Sequence, residues 1–257
     1  MYILGRVQML DPLPYAEGVK RLMDKGFDGI EFGISDKSFN PRPAFYVPGF
    51  AEEMKRVIDR YHVKAYSVSA HMDYTESEER FNAVHDAIRV AKEMGSHLVI
   101  INGAKRNDDE PFEIQWKRQI EKTKALCAYA EDLDIELAME FEPGFVLDTT
   151  EKMLKAFKEI NSPVLKVNAD IGHIFLQDPD PLAAIESCKG LIIHAHLENM
   201  KTGVHNHLVP YEGDMDLPVY IAKLREVGFD GMAAFDAYQY DYEAVAEESV
   251  RYFKSIF

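Results

Sequence analysis

Four stretches of this chain carry residues that could do chemistry together. Leu137-Ala138-Met139-Glu140-Phe141-Glu142 sets two carboxylates two residues apart, and Asp170-Ile171-Gly172-His173 spaces a carboxylate and an imidazole by three. Ile192-Ile193-His194-Ala195-His196-Leu197-Glu198 alternates apolar and ionisable side chains, and Ala234-Phe235-Asp236-Ala237-Tyr238 adds a further carboxylate. Strand residues point alternately to two faces, so taking the greasy set as outside leaves Glu140, Glu142, Asp170, His194, His196, Glu198 and Asp236 pointing inward. Ser67, Ser69 and His71 join them from another stretch, as does Glu31. Unpaired, each buried charge would cost several kcal/mol or be neutralised. A divalent cation held by Glu140, Asp170, His196 and Asp236 removes that cost. Mixed oxygen and nitrogen ligands suit Mn2+, Co2+, Mg2+ or Zn2+, whereas the absence of thiolates argues against copper(I) or iron–sulfur. Mn2+ is the ion expected.

The elements that must position these groups alternate from end to end. Strand-like runs lie near 2–9, 28–34, 63–71, 97–103, 135–142, 163–170, 191–198 and 230–238, each bounded by Gly, Pro, Asn or Asp. Helical patterns fill the gaps, among them Phe81, Val84, Ile88 and Ala91, and Trp116, Ile120, Thr123, Cys127 and Ala130. Eight βα units in 257 residues, with no linker or composition break, predict one (β/α)8 TIM barrel domain over residues 1–257. An open doubly wound sheet is the alternative. The longer βα segments, 35–47, 104–111 and 199–215, then fall at the C-terminal face, where such barrels build their sites.

Composition narrows the partners. The chain is 47% hydrophobic and 28% charged, and its 29 basic against 44 acidic residues leave −15, a surface that repels nucleic acid and anionic lipid. The two cysteines, Cys127 and Cys188, sit in apolar helical stretches, and the start lacks a signal-peptide pattern. A cytoplasmic protein acting on a small molecule is expected, with homo-oligomers possible.

Several residues also have plain structural readings. His194 reads as structural, hydrogen-bonding a ligand from behind. Glu142 reads as a cap on the turn at Pro143-Gly144, and Glu31 as a barrel-bottom or substrate-bonding residue. His205 and His207 sit in a polar loop, where a solvated histidine is the usual case.

The conjunction of Gly29-Ile30-Glu31, Leu137-Ala138-Met139-Glu140, Asp170-Ile171-Gly172-His173, His194-Ala195-His196-Leu197-Glu198-Asn199 and Glu212-Gly213-Asp214-Met215-Asp216 resembles the xylose isomerase-like barrel superfamily. Within it, the chain is similar to the sugar phosphate isomerase/epimerase group of ketose 3-epimerases and inosose dehydratases, and more distantly to apurinic endonucleases. The resemblance implies one catalytic metal on Glu140, Asp170, His196 and Asp236, with His173 and His207 beside the substrate. His71 and Glu142 are placed with them. The chain departs from the pattern at Asp236, where glutamate is usual, at Tyr211, where glycine is usual, and at Asn199, where aspartate is usual. The endonuclease branch holds three zinc ions; His71 and His207 match it, but Asn102 stands where that branch has histidine.

The chemistry expected is proton transfer next to the carbonyl of a ketose or related polyol through a metal-stabilised enediolate. Glu140 and Asp236 would remove and return the proton. Trp116 or Phe112 would cover the sugar, and the lack of a Gly-rich cradle after strands seven and eight favours an unphosphorylated substrate. The rival readings are a metal-dependent dehydratase or hydrolase on the same site, an endonuclease-like phosphoesterase, and a non-catalytic binding barrel.

Overall fold

The computed structural model describes residues 1–35 and 40–257. Eight parallel strands close the barrel: β1 (Tyr2–Arg6), β2 (Gly29–Gly33), β3 (Ala65–Ala70), β4 (Leu98–Ile101), β5 (Glu136–Met139), β6 (Leu165–Asp170), β7 (Ile192–Leu197) and, after an antiparallel hairpin of β8 (Asn199–Lys201) and β9 (Val204–Leu208), β10 (Met232–Phe235). The barrel order β1-β10-β7-β6-β5-β4-β3-β2 follows the chain around the ring and excludes the open sheet. Most strands are shorter than the apolar runs suggest. Val7–Leu10, for example, leaves the sheet as a 3-10 turn, and the residues beyond β5 and β10 carry polar side chains into the mouth.

Helices α1 (Tyr15–Asp24), α2 (Phe50–Arg60), α3 (Glu78–Met94), α4 (Phe112–Asp132), α5 (Thr150–Ile160), α6 (Ile171–Gln177), α7 (Pro181–Ser187), α8 (Leu217–Glu226) and α9 (Tyr242–Ile256) cover the outside. Several helix ends have a visible local cause. In α3, Ser77 Oγ accepts from the Arg80 amide at the N-terminus, and Gly95 at φ +86° ends the helix. Gly29 is required because a Cβ there would overlap the Ala65 carbonyl, so β2 and β3 approach too closely for a side chain.

Two apolar layers result. Outside, helix and strand side chains such as Val19, Leu22, Ile30, Phe32, Val99, Leu137 and Phe235 form one continuous core. Inside, Leu4, Leu98, Ile100, Ala138, Met232 and Ala234 plug the lower half of the barrel. Above that plug the inward positions turn polar, through Ser67, Asn168 and His194, and then ionisable. Of the three longer βα segments, 199–215 folds back as the β8–β9 hairpin rather than running as a plain polar loop. Residues 36–39 of the segment 35–47 lie outside the described residues. Among the described residues no helix is long and apolar enough to cross a membrane.

Candidate metal centre and active site

The strand ends converge. Glu140 and Asp236 are the first residues beyond β5 and β10; their amides still donate in ladder fashion, to the Ile101 carbonyl (2.8 Å) and the Leu197 carbonyl (3.0 Å). Asp170 closes β6 and caps α6, its Oδ1 accepting from the His173 amide at 2.8 Å. The Asp-x-x-His spacing is therefore a helix cap whose fourth residue is aimed back over the barrel. His173 Nδ1 faces the Phe141 carbonyl at 2.9 Å and so carries a proton there; burial opposes a charged ring, but Asp170, Glu142 and Glu140 raise its pKa.

His196 lies at the centre. Its Nε2 donates to Glu31 Oε2 at 2.9 Å, which turns Nδ1 into the cluster. That Nδ1 stands 2.8 Å from Glu140 Oε2, 3.9 Å from Asp170 Oδ2 and 3.9 Å from Asp236 Oδ2, yet it has no aligned hydrogen-bond partner. Asp170 Oδ2, Asp236 Oδ1, Glu198 Oε2 and His207 Nδ1 are buried and unpartnered in the same region. Unsatisfied buried polar atoms are costly, and here they are two imidazole nitrogens and three carboxylate oxygens gathered in one region. That donor set fits a divalent cation, and Glu31 behind His196 is the carboxylate that fixes a ligating imidazole's tautomer.

The electrostatics agree. Five carboxylates, Glu31, Glu140, Asp170, Glu198 and Asp236, are at most 2% exposed. Burial opposes ionisation of Glu31, but Arg6 and His196 hold it well below the usual carboxylate range; His196 and His71 do the same for Glu140, and Arg6 lowers Asp236. At Asp170 and Glu198 the favourable contacts, His173 and His196 for the first and the Gly172 amide for the second, are outweighed. Burial raises both, with Glu140 adding to the effect at Asp170, and with Asp170 and Asp236 lifting Glu198 well above the usual range. Burial works against a charged His196, yet Glu140 and Glu31 raise it well above an ordinary histidine. His194 and His207 are pushed down to about 3 by burial, so both are neutral imidazoles.

The structure brings together most of the sequence-derived set. His71 donates from Nε2 to Glu140 Oε2 at 3.1 Å, because its Nδ1 accepts from Arg6. His207, on β9, has its Nδ1 3.6 Å from Asp236 Oδ2. His194 sits one layer lower, bonded to Asn168 Oδ1 (2.8 Å) and Ser67 Oγ (3.2 Å). Glu142 corrects the expectation of a side-chain cap: its backbone makes the turn, while Oε2 accepts from Asn102 Nδ2 at 3.2 Å. Asn102 Oδ1 in turn accepts from the Met72 amide. Glu31 is not at the barrel bottom but level with His196. His205 is exposed yet not merely solvated, since its Nε2 lies 3.1 Å from both His173 Nε2 and His207 Nε2.

Trp116 and Phe112 do not cover the site. Their rings pack together between α4 and α5, where Trp116 Nε1 donates to Glu159 and the Lys155 ammonium lies over the indole. Asn199 staples the hairpin loop, donating to the Pro210 and Met215 carbonyls and accepting from the Met215 amide. Arg6 and Glu198 are site residues to which sequence motifs alone assign no role. Arg6 shares the face of Leu4 in β1, so strand parity could have found it.

A family model described as xylose isomerase-like TIM barrel matches residues 19–256. Fructoselysine 3-epimerase of Shigella flexneri is 22% identical over 242 residues, covering 87% of this chain and 85% of that protein. Among solved structures, a D-tagatose 3-epimerase-like protein superposes with a TM-score of 0.83 at 20% identity over 100% of this chain and 98% of that one. The IolI protein with a bound zinc atom gives 0.80 at 16% identity over 100% and 96%. With its closed barrel, converging strand ends and a family match spanning most of its length, this chain belongs to the xylose isomerase-like TIM barrel family.

Proposed function

We propose that the chain is a divalent-metal-dependent sugar isomerase or epimerase, moving a proton at a carbon next to the carbonyl of a ketose or related polyol. One observation carries the reading: His196 Nδ1, bare of hydrogen bonds, is ringed by oxygens of Glu140, Asp170 and Asp236. Those four residues would hold the ion, with Mn2+ expected. When bound, the cation supplies Lewis-acid polarisation of the carbonyl and its neighbouring hydroxyl. The sugar 3-epimerases among the relatives support the reaction class, and the zinc-bound neighbour supports a cation at this kind of site.

The chain's own groups do the rest. Glu140 and Asp236 arise from different strands and are the carboxylates assigned to taking and returning the proton. His71 and Asn168 hold Oε2 of Glu140, which fixes the direction in which the other oxygen can work. His173 and His207 would offer ring nitrogens to substrate hydroxyls, beside the hydrogen-bonded pair of Glu142 and Asn102.

The test is metal content by mass spectrometry on protein purified without chelator, with proton exchange followed by NMR in heavy water over a panel of ketoses. About one divalent ion per chain and deuterium entering C1 or C3 of a ketose is the expected result. No bound ion and no exchange with any sugar overturns it.

A further inference from the structure

Arg6 ends β1 with its guanidinium inside the barrel and 1% exposed. The pairing register puts it there: Arg6 is level with Glu31 on β2, and because Leu4 is level with Ala234 on β10, two residues further along brings Arg6 beside Asp236. Its Nε donates to Glu31 Oε1 at 2.8 Å, its Nη1 pairs with Asp236 Oδ2 and donates to Tyr238 Oη at 3.2 Å, and its Nη2 faces His71 Nδ1 at 3.4 Å. A planar fork held at four points has no freedom to swing away. Glu31 passes the contact on to His196 and His71 passes it to Glu140, so one guanidinium backs three of the four residues assigned to the ion.

We infer that Arg6 is a positioning residue that divides Asp236 between itself and the cation. Oδ2, the Asp236 oxygen that stands 3.9 Å from His196 Nδ1, is already paired with the guanidinium, and Oδ1, buried and unpartnered, is the oxygen still free for the ion. The inference rests on the proposed reading of the site as a cation centre. Aspartate is one methylene shorter than glutamate, so a carboxylate anchored from behind on β1 presents its free oxygen from a fixed place. The arrangement has a second effect. A fixed positive charge beside the ion opposes its binding, and a carboxylate already paired attracts a cation less, so Arg6 holds the site's affinity below what its carboxylates alone would give.

The prediction has an unusual sign. In Arg6→Met, Mn2+ measured by isothermal titration calorimetry is expected to bind at least about tenfold more tightly, while proton exchange on the substrate slows because Asp236 is no longer held. Arg6→Lys, which keeps the charge, should stay within about threefold of the parent in Mn2+ affinity. Should Arg6→Met fail to fold, the unmodified Arg6 background still decides. There Asp236→Asn is expected to weaken Mn2+ by no more than about tenfold, and Asp170→Asn by about a hundredfold or more. Unchanged or weaker Mn2+ binding in folded Arg6→Met, or equal losses in the two aspartate variants, overturns the inference. If the parent chain binds none of Mn2+, Co2+, Mg2+ and Zn2+, the cation reading itself fails, which is a distinguishable result.

Discussion

Replacing Asp170 by asparagine separates the two consequences of gathering carboxylates around one point. In the metal-free chain, burial and then Glu140 and Asp236 push the Asp170 carboxyl up, outweighing His173 and His196. The sign follows from linkage. A carboxyl raised on folding binds its proton more tightly in the native than in the unfolded state, so ionising it at neutral pH destabilises the fold, and the penalty lessens as the pH falls. Asparagine removes that charge but keeps an oxygen to cap α6, where Oδ1 accepts from the His173 amide at 2.8 Å. Metal-free Asp170→Asn should therefore melt no lower than the parent at neutral pH. With Mn2+ at a thousand times its dissociation constant, binding stabilises the parent by about 4 kcal/mol. At about 2.1 cal/mol/K per residue, 257 residues give an unfolding entropy near 0.5 kcal/mol/K, so the parent's Tm should rise by about 8 °C. Differential scanning calorimetry with chelator and with Mn2+ reads both effects. The reasoning is refuted if Asp170→Asn keeps the Mn2+ shift, or if the metal-free variant loses several degrees.

The same site predicts a pH dependence. His196 is held well above an ordinary histidine by Glu140 and Glu31 despite burial, so an incoming ion must displace its proton, and Mn2+ affinity should rise by up to about tenfold per pH unit below that raised value. A flat profile by calorimetry from pH 6 to pH 8 contradicts this. Trp116→Ala should leave KM for the substrate unchanged while costing about 3 kcal/mol in urea unfolding, because the ring packs between α4 and α5. A raised KM at full stability would return the indole to the site. Tyr242→Phe should cost about 1–2 kcal/mol by the same unfolding measurement, since its hydroxyl donates to the Phe235 carbonyl (2.8 Å) and accepts from the Arg6 amide (3.2 Å) inside the core. Loss of Mn2+ affinity without loss of stability would instead make Tyr242 part of the metal centre.

Alternation of apolar and polar residues was enough to place Glu140, Asp170, His196 and Asp236 on one side of their strands, because a barrel wall leaves only two directions for a side chain. It was less able to say what stands behind them. Arg6 is a lone basic residue in a short run, and its meaning depends on register with Glu31 and Asp236, which lie far away in sequence. The β8–β9 hairpin was hidden for a similar reason. Its pairing rests on a tight turn at Gly203 and on Asn199, whose side chain makes contacts eleven and sixteen residues on. Trp116 was misplaced because helical periodicity gives the buried face of α4 but not which neighbour fills the gap beside it.

The pairing of β1 with β10 also bears on how the molecule is made. Met1 reaches Asp230 across 229 residues, and the Arg6 amide reaches Tyr242 across 236, so the seam of the ring joins segments synthesised at opposite ends of the sequence. Until β10 docks, β1 and β7 are bare edges and Arg6 has lost one of its two carboxylates, a charge that cannot stay in an apolar interior. A chain that has folded only its earlier units is thus open at the very spot where the acidic cluster gathers. Ring closure and assembly of the acidic cluster become one event, because a chain still lacking β10 also lacks Asp236.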